Sequence, residues 1–125
     1  MRTLAGWLMI ANAALFFFGG MQHAGVSIGR LHEPLFVPAA IVEAVCGLCL
    51  LWGAIALFRS LGTGRRAAFI ANGVALAGVL LGITALVAGA GPRTPSNDLY
   101  HRLMLALIAA CFLILFFARS GMRGS

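Results

Sequence analysis

The order of apolar and charged positions divides this chain into four long apolar runs. Three of them, residues 3–22, 67–92 and 103–118, contain no charged side chain. The fourth, residues 34–58, contains a single one, Glu43. Each run is close to the roughly 20 residues that an α-helix needs to cross the hydrocarbon core of a bilayer. The pattern therefore predicts four transmembrane helices.

Turn-forming residues between the runs indicate where the helices end. We expect helices at residues 4–22, 39–58, 67–90 and 97–118. Ser96 is the expected N-cap of the last helix, and Asp98 would lie in its first turn. Because the connections are short, the helices are expected to run up, down, up and down. The predicted fold is an all-α, antiparallel four-helix membrane bundle that forms one domain over residues 1–125.

The amino-acid composition supports the prediction of a membrane protein because it excludes a soluble domain. The chain is 62% hydrophobic and 10% charged, with a mean hydropathy of +1.01. In soluble domains roughly a quarter of all residues are charged, so this composition excludes a soluble enzyme domain. The first run follows Arg2 and resembles a signal peptide, but it is about 20 residues long and no A-x-A site follows it. We expect it to remain as an uncleaved span.

The net charge of +6 comes from nine arginines that lie mostly beside the ends of the runs. Such a charge could indicate nucleic-acid binding, but this placement is typical of residues that set membrane orientation, and no nucleic-acid partner is predicted. One face of the predicted bundle carries Arg2, Arg59, Arg65, Arg66, Arg119 and Arg123. The other carries Arg30, Arg93 and Arg102. This asymmetry predicts a multi-pass protein of the inner (plasma) membrane with both termini cytoplasmic.

Glu43 is the residue that most clearly suggests function. A carboxylate inside a span costs about 3 kcal/mol on insertion scales, so it usually faces a protein interior, a water-filled cavity or a partner. His23 and His101 are predicted at the same depth, near the outer surface, and Asp98 lies one turn before His101. These residues predict an outward-facing ligand or proton site. A metal site of His23, His101 and Glu43, with Asp98 orienting His101, is one form of it. An interhelical hydrogen-bond cluster is the alternative.

The cysteines and small residues have simpler explanations. Cys46 and Cys49 form a C-x-x-C pair, which in a soluble oxidoreductase would indicate redox chemistry. Here the pair lies inside a span without a basic neighbour, so we favour apolar packing, and a thiol contact with Cys111 on the last helix stays open. We expect the aromatic run Phe16, Phe17 and Phe18 to face lipid. The glycines of the third helix are expected to serve helix packing.

The segment from Glu43 to Gly53, which reads EAVCGLCLLWG, resembles the second-helix pattern of DoxX-like membrane proteins. That pattern consists of a glutamate, a glycine, a leucine-rich turn and a second glycine. The end of the first helix, Gly-Gly-Met-Gln-His at residues 19–23, is compatible with it. The resemblance implies a four-helix accessory protein connected with redox enzymes, thiol or sulfur metabolism, or quinone-linked complexes. It identifies no catalytic residue.

Three functional hypotheses follow. The first is an accessory or ligand-binding role in redox or quinone-linked membrane metabolism, with metal, haem or quinone as candidate cofactors. The second is a noncatalytic subunit of a larger respiratory or photosynthetic complex. The third is a small proton-coupled transporter that uses Glu43, although small multidrug exporters carry their carboxylate in the first helix. The expected partners are the lipid bilayer and either other membrane subunits or further copies of the chain.

Overall fold

The structure, a computed structural model, describes residues 1–59 and 62–118, and within them it contains four α-helices. They are α1 (Arg2–His23), α2 (Val37–Arg59), α3 (Gly62–Val87) and α4 (Pro95–Phe117). Each is long and apolar enough to cross a membrane. The prediction of an all-helical protein with four membrane-spanning helices is confirmed, and the lipid bilayer is its expected environment.

Each helix begins a few residues earlier than the sequence predicted. α3 starts at Gly62 instead of residue 67, so that Arg65 and Arg66 lie in its first turns. Arginine is a good helix former, and its charge marks the end of the apolar run but not the end of the helix. At the other end, Gly89 has a φ of +72° and the amide of Ala90 donates to the carbonyl of Ala85. This glycine-dependent cap ends α3 before the predicted residue 90.

The N-cap of α4 is Thr94, and the prediction of Ser96 is wrong. The Thr94 side-chain oxygen accepts a hydrogen bond of 3.1 Å from the backbone amide of Asn97. Pro95 follows directly, and proline suits the first helical position because its missing amide hydrogen would have no partner there. The proline therefore moves the start of the helix two residues ahead of the predicted one.

The four helices contact each other in ring order. α1 packs against α2 and α4, and α3 packs against α2 and α4. The contacts of α2 with α1 and with α3 are the most extensive, whereas α4 makes fewer. Small residues allow the close contacts, as expected between helices in lipid. A Cβ added to Gly64 in α3, for example, would lie 2.6 Å from the Leu57 Cα of α2.

The core contains one residue that the sequence placed on the lipid side. Phe16 is only 2% exposed and belongs to the central apolar cluster with Met9, Leu50, Met104 and Ile108. The expectation that the whole Phe16–Phe18 run faces lipid is therefore wrong for Phe16. Successive side chains of a helix point about 100° apart, so three consecutive residues spread over about 200°, and on a helix with two neighbours at least one of them points toward a neighbour.

Candidate functional site: a cavity between the helices

Glu43 is buried and bonded to His23. The Glu43 Oε2 atom lies 2.9 Å from the Nδ1 atom of His23, and both side chains are less than a tenth exposed. His23 is the last residue of α1 because Gly25, with a φ of +90°, turns the chain away from the helix. Glu43 lies six residues after Val37, so about 9 Å into α2 at 1.5 Å per residue. The sequence predicted these two residues at one depth, and the structure places them in contact.

Tyr100, the only tyrosine of the chain, completes this cluster and was not predicted as a site residue. Its hydroxyl donates to the backbone carbonyl of Leu15 over 3.3 Å. It also lies beside Glu43, because a Cβ on Gly19 would lie 2.6 Å from the Tyr100 hydroxyl oxygen and 2.8 Å from Glu43 Oε1. Gly19 therefore provides the space that both polar groups occupy. The available signal was the position of a lone tyrosine immediately before His101.

His101 is also buried, at 8% exposure. Its Nδ1 atom lies 2.8 Å from the backbone carbonyl oxygen of Asn97, one turn earlier in α4. The other ring nitrogen, Nε2, lies against Gly82 of α3, where an added Cβ would overlap it. Gly78, four residues before Gly82 in α3, faces Cys46 of α2 instead. The two glycines thus serve two different neighbouring helices, and one of them makes room for a histidine.

Asp98 does not join the other predicted site residues. Its carboxylate is bonded to the Arg93 guanidinium, with the Nε atom 3.1 and 3.2 Å from the two oxygens, and the pair is exposed. The expected role of Asp98 in orienting His101 is therefore not fulfilled, and the Asn97 carbonyl does this instead. The physical reason is that an arginine in the preceding loop offers Asp98 a charged partner in a solvated position, which an imidazole in a buried one does not.

A cavity of about 240 Å³ connects His23, Glu43 and His101. Tyr100 and Asn97 are the other polar residues of its lining. The rest is apolar and comes from α1, α2, α3 and the two loops at this end, including Phe16, Phe36, Val42, Val79, Leu86 and Pro92. This combination of a mostly apolar lining with a few convergent polar groups is typical of small-molecule sites between the helices of a bundle.

A metal centre is not formed by the residues that the sequence suggested. In residues 1–59 and 62–118 there is no group of three or more histidine, cysteine, aspartate or glutamate side chains that could hold a metal ion. His23 and Glu43 bond to each other, whereas His101 is bonded to its own helix. The set His23, His101 and Glu43 therefore shares a cavity and does not converge on one point.

The cysteines contact separate parts of the bundle. All three described cysteines are free thiols. Cys46 donates weakly to the Val74 carbonyl of α3 over 3.8 Å, and Cys111 to the Ala5 carbonyl of α1 over 3.9 Å. The thiol contact between α2 and α4 that the sequence left open is therefore not formed by Cys46 and Cys111. Cys49, the second residue of the C-x-x-C pair, is partly exposed on another side of α2.

Glu33 forms a second polar cluster at the same end of the bundle. It belongs to the loop between α1 and α2 and accepts hydrogen bonds from the Thr94 hydroxyl, at 2.8 and 2.9 Å, and from the Ser96 hydroxyl. The carboxylate lies at the start of α4, where the helix dipole favours negative charge. This contact ties the first loop to α4. His32, by contrast, is exposed and bonded to Ser27.

These features define the class of protein as a multi-pass helical membrane protein with a mostly apolar cavity between its helices that a few polar side chains also line. Comparison with known proteins gives no closer identification: no family model, no curated protein and no solved structure matches the chain. The resemblance to DoxX-like proteins therefore stays a prediction.

Proposed function

We propose that this protein binds a small, mostly apolar molecule in the cavity between its helices. The observation that carries the proposal is the cavity of about 240 Å³ between an apolar wall and the buried His23–Glu43 pair. An empty apolar cavity of about 150 Å³ is already large enough to hold benzene. A lipid-soluble molecule with one polar end fits such a lining, and the membrane itself would supply it.

The direction of the helices and the orientation of the protein in the membrane are also part of this proposal. The end of α1 contacts the start of α2 through His23 and Glu43, while Gly6 near the start of α1 lies against Phe58 near the end of α2. These contacts support an antiparallel bundle. The arginine distribution supports cytoplasmic termini in an inner membrane, although Arg119 and Arg123 lie outside the described residues. The cavity then opens toward the outer side.

The biological context that we propose is an accessory role in redox or quinone-linked membrane metabolism. It rests on the DoxX-like resemblance of the Glu43–Gly53 segment together with a cavity suited to a lipid-soluble cofactor. A quinone in its reduced, quinol form fits the chemistry of the lining better than a metal ion does, because a quinol carries hydroxyl groups and the cavity lacks a converging set of metal ligands among the described residues. Association with other membrane subunits or with further copies of the chain is part of the same proposal.

The transporter alternative is less well supported. Glu43 is engaged by His23 of its own chain near one end of the bundle. A carboxylate that carries protons or substrate between two membrane faces is expected near the middle of the span, where both sides can reach it in turn. The hypothesis of a subunit in a respiratory or photosynthetic complex stays a prediction.

Native mass spectrometry of the protein released from detergent tests the proposal. We expect a retained small molecule in the wild-type spectrum and its loss in a Phe16→Trp variant, which fills the cavity from its apolar side. The matched control is Asp98→Asn, which changes a carboxylate outside the cavity and should leave the ligand bound. Thermal unfolding of each variant confirms that the fold is retained. An apolar probe that binds equally to wild type and Phe16→Trp would contradict the proposal.

A further inference from the structure

We propose that the ligand of this cavity carries a hydroxyl group that donates a hydrogen bond to the Nε2 atom of His101. The ligand class is a lipid-soluble alcohol or phenol. This inference rests on the proposed function, because it concerns the same cavity. It goes further by naming the chemical group that the cavity selects.

The first step is the protonation of the His101 ring. A carbonyl oxygen can only accept a hydrogen bond, so the 2.8 Å contact with the Asn97 carbonyl requires a hydrogen on Nδ1. A neutral imidazole carries one hydrogen, which leaves Nε2 as an acceptor.

The second step is that this acceptor is open to the cavity. His101 lines the cavity, and among the described residues no side chain or backbone group hydrogen-bonds to its Nε2 atom. The side of the ring that carries Nε2 faces Gly82, which has no side chain to cover it. Nε2 is not one of the enclosed polar atoms without a partner, so it keeps accessible surface that a ligand hydroxyl can reach, and a hydrogen bond formed beside an apolar lining is stronger than one in water.

The third step is that the neighbouring polar groups are engaged. Glu43 Oε2 is bonded to His23, and Glu43 Oε1 lies beside the Tyr100 hydroxyl, which donates to the Leu15 carbonyl. The Asn97 side chain also lines the cavity, but an amide both donates and accepts and therefore does not discriminate between ligand types. His101 is the group that prefers one type, a donor, and an ether or a simple ketone cannot supply one.

A pair of probes with the same apolar body tests the inference. Naphthalen-1-ol has a hydroxyl donor, whereas 1-methoxynaphthalene has the same rings and oxygen without one. Binding of both to the wild-type protein in lipid nanodiscs is measured by calorimetry, with empty nanodiscs as the partition control. We expect the naphthol to bind about tenfold more tightly after correction for partitioning, since the methyl ether has no donor for the His101 acceptor.

The outcomes separate this inference from the proposed function. Equal corrected affinities for the two probes would overturn the hydroxyl preference and leave the cavity as a binding site. If neither probe binds above the empty-nanodisc level, the proposed function fails, and this inference fails with it. Tighter binding of the methyl ether would also overturn the preference.

Variants of His101 identify the acceptor. In His101→Leu the ratio of the naphthol affinity to the methyl ether affinity should fall to about one. His101→Gln keeps a side-chain acceptor and should retain part of the preference for naphthol. A readout independent of folding uses wild-type protein with ¹⁵N-labelled histidine. Naphthol should move the His101 Nε2 resonance from the range of an unprotonated nitrogen toward that of a hydrogen-bonded one, and the methyl ether should not. An unchanged resonance with naphthol bound would overturn the assignment.

Discussion

Glycine residues have different roles at the two ends of the bundle. At the end that contains Gly6, Gly53 and Gly64, small residues bring apolar side chains and backbone of neighbouring helices together. At the cavity end, where His23 and the two loops lie, Gly19 and Gly82 instead leave space for polar groups of Tyr100, Glu43 and His101. A glycine in a membrane helix therefore does not by itself indicate helix packing. The group that occupies the space decides its role.

The largest expected effect lies at the cavity end, in the His23–Glu43 pair. Glu43→Ala should lower the free energy of unfolding by about 3–5 kcal/mol, because it leaves a buried polar partner without its bond. The double variant His23→Ala, Glu43→Ala should be destabilised by less than the sum of the single variants. Reversible unfolding in mixed micelles measures all three. Strict additivity would show that the two side chains do not stabilise each other.

At the opposite end, Gly64→Ala should cost about 1–3 kcal/mol of unfolding free energy, because the added methyl group meets the backbone at Ala56 and Leu57, which cannot turn aside. The matched control is Gly73→Ala in the same helix, where a Cβ meets no described atom within 4 Å. That variant should be neutral or slightly stabilising. The comparison uses the same unfolding assay, and similar stability of the two variants would contradict the close approach of α2 and α3.

Gly82→Ala should separate binding from stability. Its methyl group would overlap the His101 ring, which is a side chain and can turn, so we expect a cost of only about 1 kcal/mol. The preference for naphthol over its methyl ether should nevertheless be lost, because the turned ring no longer presents Nε2 to the cavity. Calorimetry with the two probes measures this. Retained preference would place the acceptor elsewhere.

The smallest effect is expected at Asp98. Asp98→Asn removes an exposed ion pair with Arg93, and such pairs contribute about 0–1 kcal/mol. Unfolding free energy and probe affinity should therefore both stay close to the wild-type values. A large loss of binding in this variant would restore Asp98 to the site that the sequence assigned to it.

The sequence alone was sufficient to predict the four helices and, within the site, to predict His23 and Glu43 at a common depth. Apolar runs between charged residues locate helices because the bilayer imposes their length, and the distance of His23 and Glu43 from the helix ends predicts a common depth. The rotation of each helix about its axis is not contained in those distances. For that reason Phe16 was placed on the wrong side, and Tyr100 was missed.

The other wrong predictions concern positions where two residues compete for the same role. Asp98 is one turn from His101 in sequence, but Arg93 in the preceding loop binds it instead. Thr94 and Ser96 are both suitable caps for α4, and Pro95 between them decides which one begins the helix. The cavity itself is a space left between side chains of all four helices and two loops, so no local pattern of residues indicates it.

The contact of Glu33 with Thr94 and Ser96 has a consequence for how the protein forms during synthesis. Glu33 and Thr94 are separated by 61 positions along the chain. The first loop is therefore synthesised long before the residues that bind its carboxylate. The link between the two loops can close only when the last helix has begun to insert, so it is one of the last contacts of the fold to form.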